Sequence, residues 1–205
     1  MIISMNYKQP NPTMHSTKMF EGITIEILIE IMNENPSLRG MIQGYISEWK
    51  LRHQLLNVEG VTSVTKIQDQ DPEKGDFKVI YLGETITIEA KSVSTDSTKW
   101  DTLNDTWEGT VSLKSTDTRE ITINNKGIRC THLERGQFDI LAISCFAVWN
   151  EWDFKFMENE YLPSSHFSDR YLKTSFKVNP DTTPCLVPNP KEILHSVYLK
   201  KQKLK

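Results

Sequence analysis

The run Thr85-Ile86-Thr87-Ile88-Glu89-Ala90-Lys91 alternates polar and apolar residues without a break. A period of two is the signature of a β-strand with one buried face. Ile86, Ile88 and Ala90 then share one side, and Glu89 and Lys91 the other. The preceding run, Phe77 to Leu82, is also strand-like, and Gly83-Glu84 between the two reads as a two-residue hairpin turn. That turn sets Leu82 against Thr85, Ile80 against Thr87, Lys78 against Glu89 and Asp76 against Lys91. Cross-strand partners project to the same side, so Asp76, Lys78, Glu89 and Lys91 converge on one patch, with neighbours roughly 5 to 7 Å apart.

Two carboxylates and a lysine suit a hard divalent cation. Mg²⁺ takes oxygen ligands, commonly one or two carboxylates together with waters and phosphate oxygens. Near a phosphodiester such an ion stabilises charge on the phosphoryl oxygens, while Lys91 orients or helps deprotonate an attacking water. An ammonium beside a bound cation is expected to have a lowered pKa. The same spacing also describes a surface hairpin with an Asp76–Lys91 ion pair, an arrangement worth little and common in proteins.

Asp76 followed by Glu89-Ala90-Lys91 at the end of an apolar strand resembles the PD-(D/E)XK nuclease superfamily, which includes many type II restriction endonucleases. Gly75 stands where that motif has proline. The resemblance implies metal ligation by Asp76, Glu89 and the Ala90 carbonyl, catalysis by Asp76, Glu89 and Lys91, and a further acid from a preceding helix. Glu48 is the candidate, in a helix reading from about Leu38 to Leu55. Leu38, Met41, Ile42, Tyr45, Ile46 and Trp49 form its apolar stripe, with Glu48 at the edge. A solvated Glu48 beside Arg52 at i,i+4 fits the spacing equally well. Downstream, Phe138-Asp139-Ile140-Leu141-Ala142-Ile143-Ser144-Cys145-Phe146-Ala147-Val148 reads as a central strand covered on both faces. Helix, strand, hairpin strand with ExK, insertion and buried strand follow the order of the superfamily core, over roughly residues 37 to 157. The expected fold is therefore α/β, a central mixed β-sheet flanked by helices with a β-ribbon insertion.

That insertion holds Thr110 to Lys114 and Glu120 to Ile123, then Asn124-Asn125-Lys126-Gly127, and reads as ribbon arms with turns. A two-stranded ribbon fits a DNA major groove; a surface hairpin covering a sheet edge fits the pattern as well. Cationic and hydrogen-bonding residues gather here and give a candidate DNA-binding set: Ser92, Ser94, Lys99, Lys114, Arg119, Lys126, Arg129, His132 and Arg135. The net charge of −3 argues against a general nucleic-acid coat but allows a local basic stripe.

The remaining chain reads as one domain over residues 1–205, with a polar tail at 1–18. A helix is expected near Phe20 to Asn33 and closes at Asn35-Pro36. A strand at Val61 to Ile67 precedes a polar loop, Asp69 to Gly75. A final helix, Lys191 to Leu199, is expected to fray into a basic tail at 200–205. Phe146, Trp149, Trp152, Phe154 and Phe156 read as core or sheet-cover residues. No stretch approaches the ~20 apolar residues of a membrane span, no secretory signal is visible, and there is no nucleotide-cofactor glycine motif. Cys130, Cys145 and Cys185 show neither disulfide nor zinc spacing, in keeping with a cytoplasmic setting. The resemblance implies a Mg²⁺-dependent endodeoxyribonuclease (Mn²⁺ substituting) that hydrolyses double-stranded DNA to 5′-phosphate ends, in the manner of a type II restriction enzyme. It also implies a homodimer if the site is palindromic. The alternatives are a branched-DNA resolvase, a repair or transposition nuclease, and a non-catalytic DNA-binding module.

Overall fold

The computed structural model describes residues 21–68, 75–123 and 126–205, with the side chains between 115 and 130 outside that description. The expected tail at 1–18, the Asp69–Lys74 loop, the start of the first helix at Phe20 and the Asn124-Asn125 turn lie outside the described residues. By compactness the chain divides into Met1–Gln43 and Gly44–Lys205.

The first unit holds α1, Ile25–Glu34, and the opening turns of α2, Pro36–Leu56. Thr24 caps α1, its hydroxyl accepting from the Ile27 amide at 3.4 Å. Asn35 leaves the helical region at φ −124°, because the residue before a proline is pushed towards extended backbone. Pro36 then opens α2, where its missing N–H costs nothing. Among the described residues α1 buries none of its side chains.

The second unit is built on a five-stranded mixed sheet in the order β1-β2-β3-β8-β9, with β1 Val61–Lys66, β2 Phe77–Tyr81, β3 Glu84–Ser92, β8 Ile140–Ser144 and β9 Phe154–Glu158. Only the β3–β8 pair is parallel. Both strands therefore end at the same edge of the sheet. Every residue of β8 is buried, as the continuous apolar run anticipated, but the strand stops at Ser144 and a single helical turn, α3 (Phe146–Trp149), follows. One face of the sheet packs Val79, Ile86, Ile88, Ile140, Ala142 and Phe156 against Leu51 and Leu55 of α2 and Ile193, Leu194 and Val197 of α4 (Pro190–Lys203). On the other face Leu141, Ile143 and Met157 meet Trp107, Val111, Phe176 and Val178. Those belong to a smaller sheet, β10-β5-β4, formed by β4 Lys99–Asp101, β5 Thr106–Ser112 and β10 Ser175–Val178. Helices thus cover one face, and a second β layer covers the other.

Four expectations change. The hairpin turn is Leu82-Gly83, at φ 49° and 83°, so Tyr81 faces Glu84 and Lys78 faces Thr87. A two-residue turn with both central φ positive is a type I′ turn, and leucine at its first position disguises it. The apolar stripe of α2 faces outward: Met41, Tyr45, Ile46 and Trp49 are 61, 51, 41 and 55% exposed, whereas Ser47, Leu51 and Leu55 are buried. The ribbon pairs β6, Lys114–Ile123, with β7, Lys126–His132, while Thr110 to Ser112 belong to β5 in the smaller sheet. Finally, the expected 200–205 tail is helical as far as Lys203. Its lysines are held by acids: Lys200 by Glu158 at 2.7 Å and by Glu160, and Lys201 by Asp139 at 2.8 Å. Those ion pairs extend the helix past the point where an isolated end would fray.

Asp139 also ties the parallel junction together. Its Oδ2 accepts from the Thr87 amide at 2.8 Å and the Thr87 hydroxyl at 3.1 Å, at the entry of β8 beside β3. The Asp139 amide donates back to the Thr87 carbonyl at 2.9 Å. Replacing Asp139 with alanine removes three charge-assisted bonds, and the expected loss of about 2 kcal/mol in unfolding free energy is measurable by urea denaturation.

Candidate functional site

The side-chain convergence expected from alternation survives the change in register. Moving the hairpin turn by one residue makes Asp76 extend the ladder opposite Glu89 in place of Lys91. The pairing offset changes by an even number, so the same residues stay on the same face. The Asp76 amide donates to the Ile88 carbonyl at 2.8 Å, and the Asp76 carbonyl accepts from the Ile67 amide at 2.9 Å. Asp76 is held from both neighbouring strands. Its Oδ2 then accepts from the Ala90 amide at 2.6 Å, continuing the β2–β3 pairing through a side chain. One carboxylate oxygen is fixed in this way.

Gly75 explains the missing proline. Its φ is 104°, whereas proline is confined near −65°. A Cβ there would lie 3.2 Å from the Ile88 carbonyl oxygen. The backbone reaches Asp76 by a path that only glycine follows easily.

Glu89 is 8% exposed, and its Oε1 meets the Lys91 ammonium at 2.6 Å. Burial pushes the Glu89 carboxyl above its usual range, and the negative charges of Asp76 and Glu48 add to the shift against the pull of Lys91. At Lys91 burial works downward, but Glu89, Asp76 and Glu48 outweigh it and the net shift is upward. The neighbouring carboxylates thus hold the proton on nitrogen.

Glu48 stands nearby on α2, and its Oε2 is 2.5 Å from Lys66 Nζ on β1. The Lys66 ammonium also lies 4.9 Å from the centre of the Tyr45 ring. Among the described residues no group of three or more His, Cys, Asp or Glu side chains is close enough to form a metal cage. Two carboxylates with open coordination positions nevertheless fit Mg²⁺, which commonly keeps several waters.

The candidate DNA-contact residues are not one surface. Ser92 pairs with Ser144, so alternation turns it to the opposite face from Lys91. The Ser94 carbonyl accepts from Ser97 Oγ and Thr98 Oγ1, each at 3.0 Å, and so organises a tight turn. Lys99 and Lys114 are exposed on β4 and β6. His132 packs edge-on against Phe167 at 4.7 Å, and burial with His166 nearby lowers its pKa. Arg135 donates to the carbonyls of Asp169, Asn159, Glu160 and Leu162 and to Ser164 Oγ, which makes it a clamp on its own loops. The side chains of Arg119, Lys126 and Arg129 on the β6–β7 ribbon lie outside those described. Of the aromatic residues expected in the core, Phe154 and Phe156 are buried and Phe146 stacks on Trp152 at 4.2 Å, whereas Trp149 is 43% exposed and meets Trp100 edge-on at 4.9 Å. Trp100 gave no signal in the sequence, because its neighbour arrives from the far side of an insertion.

No family model and no curated protein matches the chain. Among solved structures it is similar to a bacterial homing endonuclease, I-Ssp6803I, at 14% identity and a TM-score of 0.47, over 80% of this chain and 95% of that one. Among the described residues no helix is long and apolar enough to cross a membrane.

The crowded acids imply a stability cost. Because the folded pKa of Glu89 lies above its unfolded value, the penalty is absent below the unfolded pKa and grows as pH rises through the folded one. Asp76→Asn relieves part of it while keeping an oxygen for the Ala90 amide. The expected outcome at pH 7 without divalent ions is a melting temperature a few degrees above the parent's, with the difference vanishing near pH 4.

Proposed function

We propose that this protein is a metal-dependent nuclease that hydrolyses phosphodiester bonds of double-stranded DNA, with Asp76, Glu89 and Lys91 as its catalytic residues. The observation that carries the reading is the buried Glu89–Lys91 pair beside Asp76, all on one face at the carboxyl end of β3. Ligands of open α/β sheets bind at such an end. Two like charges sharing a partly buried site are costly to maintain, and a protein that only grips DNA gains nothing from them. A divalent cation held there would offset that cost by dividing the negative charge.

The Asp76 and Glu89 carboxylates would hold Mg²⁺, with the Ala90 carbonyl as a third oxygen and Glu48 acting from its place on α2. When bound, the ion supplies charge stabilisation at the phosphoryl oxygens and the departing 3′-oxygen. The chain's own contributions are positional. Ala90 N–H fixes Asp76, so its free oxygen keeps one direction. Lys91, whose ammonium also engages Glu89, would orient a water through Nζ for in-line attack and donate to the negative charge that builds on the phosphoryl oxygens. Glu48 raises the local negative charge, and Lys66 sets its orientation. Exposed Lys99 and Lys114 on the insertion, with Arg119, Lys126 and Arg129 of the β6–β7 ribbon, form the proposed phosphate-contacting set.

A type II restriction role is the finer version of this proposal. Comparing linear duplex with four-way junctions separates it from a resolvase. The test of the whole reading is nicking of supercoiled plasmid with Mg²⁺ and with EDTA, beside Lys91→Ala. Activity is expected with the ion, none with chelator, and a loss of at least a hundredfold in the variant. Equal activity of the two proteins rejects the role of Lys91.

A further inference from the structure

The sheet register places a second lysine level with Lys91. Lys91 on β3 stands beside Ile143 on β8, and Ile143 stands beside Lys155 on β9, so the two lysines share one row across the sheet. Two strand spacings separate their backbones by about 10 Å. Neighbouring positions in a row project to the same side, which puts Lys155 on the face of Lys91 and at the same edge, where β3 and β8 end and β9 begins. Ile143 between them is buried, as is Met157 two residues beyond Lys155 on that face. A lysine ammonium in such a setting needs solvent or a partner. The Lys155 side chain is 21% exposed, and its Nζ meets Asp153 Oδ2 at 2.9 Å. Asp153 is itself anchored, since its carbonyl accepts from the Cys145 amide at 2.8 Å and the adjacent Trp152 ring stacks on Phe146 at 4.2 Å.

We propose that Lys155 is a phosphate-positioning residue: it holds a backbone phosphate of the DNA strand that enters the site, one or a few nucleotides from the phosphate engaged at Lys91, and exchanges Asp153 for it. The inference rests on the nuclease reading and extends it by one residue. Spacing is the first argument. Phosphates of one strand advance by about 3.4 Å of helix axis per nucleotide, so two flexible lysines rooted about 10 Å apart reach phosphates of the same strand within a few nucleotides. Charge is the second. Asp76 and Glu89 lie at the Lys91 end of the row, so an approaching strand meets like charge there, and a cation at the other end of the row offsets it. Exchangeability is the third. Lys91 is engaged by the buried Glu89, whereas Lys155 pairs with an aspartate whose side chain is 40% exposed. A partly exposed ion pair contributes little to stability, so a phosphate can replace the carboxylate at small cost.

Fluorescence anisotropy of the full chain on a labelled DNA duplex in EDTA, repeated over a range of salt concentrations, tests it. Lys155→Gln is expected to weaken binding about tenfold near physiological salt and to make the slope of log affinity against log salt shallower by about 0.9, the share of one phosphate. Lys155→Arg is expected to restore both. Asp153→Asn breaks the same ion pair from the other side and is expected to tighten binding severalfold at the parent's slope, because the competing anion is gone. A pair with a purely structural role moves both variants in the same direction. The proposal is therefore overturned by unchanged or weaker binding in Asp153→Asn, by a Lys155→Gln slope equal to the parent's, or by a parent that binds no duplex. Asp153→Asn decides alone if Lys155→Gln fails to fold. Plasmid nicking by the parent with Mg²⁺ reports separately: a parent with the Lys155 signature that does not nick rejects the nuclease reading and keeps the phosphate contact, and a parent that nicks while Lys155→Gln binds unchanged does the reverse.

Discussion

The site depends on one short contact, the Ala90 amide donating to Asp76 Oδ2 at 2.6 Å. β2 pairs with β3 only as far as Phe77 opposite Ile88, and beyond that point an aspartate side chain takes over the role of a backbone acceptor. The carboxylate is thereby part of the sheet, and its position is as firm as the ladder itself. Glu89 and Lys91 flank Ala90 on the same strand and inherit the same frame. A side chain held in one rotamer usually needs other side chains to fix it; for Asp76 the backbone supplies the support.

That arrangement explains why the site was legible in the sequence although the hairpin was misread. Alternation is a statement about parity, and the shift from a Gly83-Glu84 turn to Leu82-Gly83 changes the pairing by an even step, so Asp76, Glu89 and Lys91 kept a common face. The buried β8 strand was legible for a related reason, since a run without polar interruption has few other places to go. What failed was any inference that needed to know which of two apolar surfaces wins the core. In α2 the stripe with more apolar residues lost to Ser47, Leu51 and Leu55, because helix orientation is set by the sheet face it covers and by Arg52 donating to the Val64 carbonyl at 3.2 Å. Hydrophobic periodicity reports that a face is apolar, not what it meets.

Other features that the sequence does not display share a physical origin in long-range contacts. The C-terminal lysines look like a solvated tail until Glu158 and Asp139, some forty and sixty residues earlier in the chain, are brought beside them. Arg135 looks like a phosphate contact until five acceptors from residues 159 to 169 surround it. Cys145 looks like one of three scattered thiols, yet burial, with Asp153 beside it, pushes it up to about 12. Such a thiol is inert at neutral pH. The reading of Gly75 as a departure from the PD-(D/E)XK pattern has the opposite lesson. Gly75 enters β2 at φ 104°, a conformation that proline does not reach, so glycine at this position follows from the path of the backbone.

The two faces of α2 place different demands on the same helix. Its inner face anchors in the core through Leu51 and Leu55, and the residue between the faces, Glu48, leans on Lys66 and contributes to the field at Glu89 and Lys91.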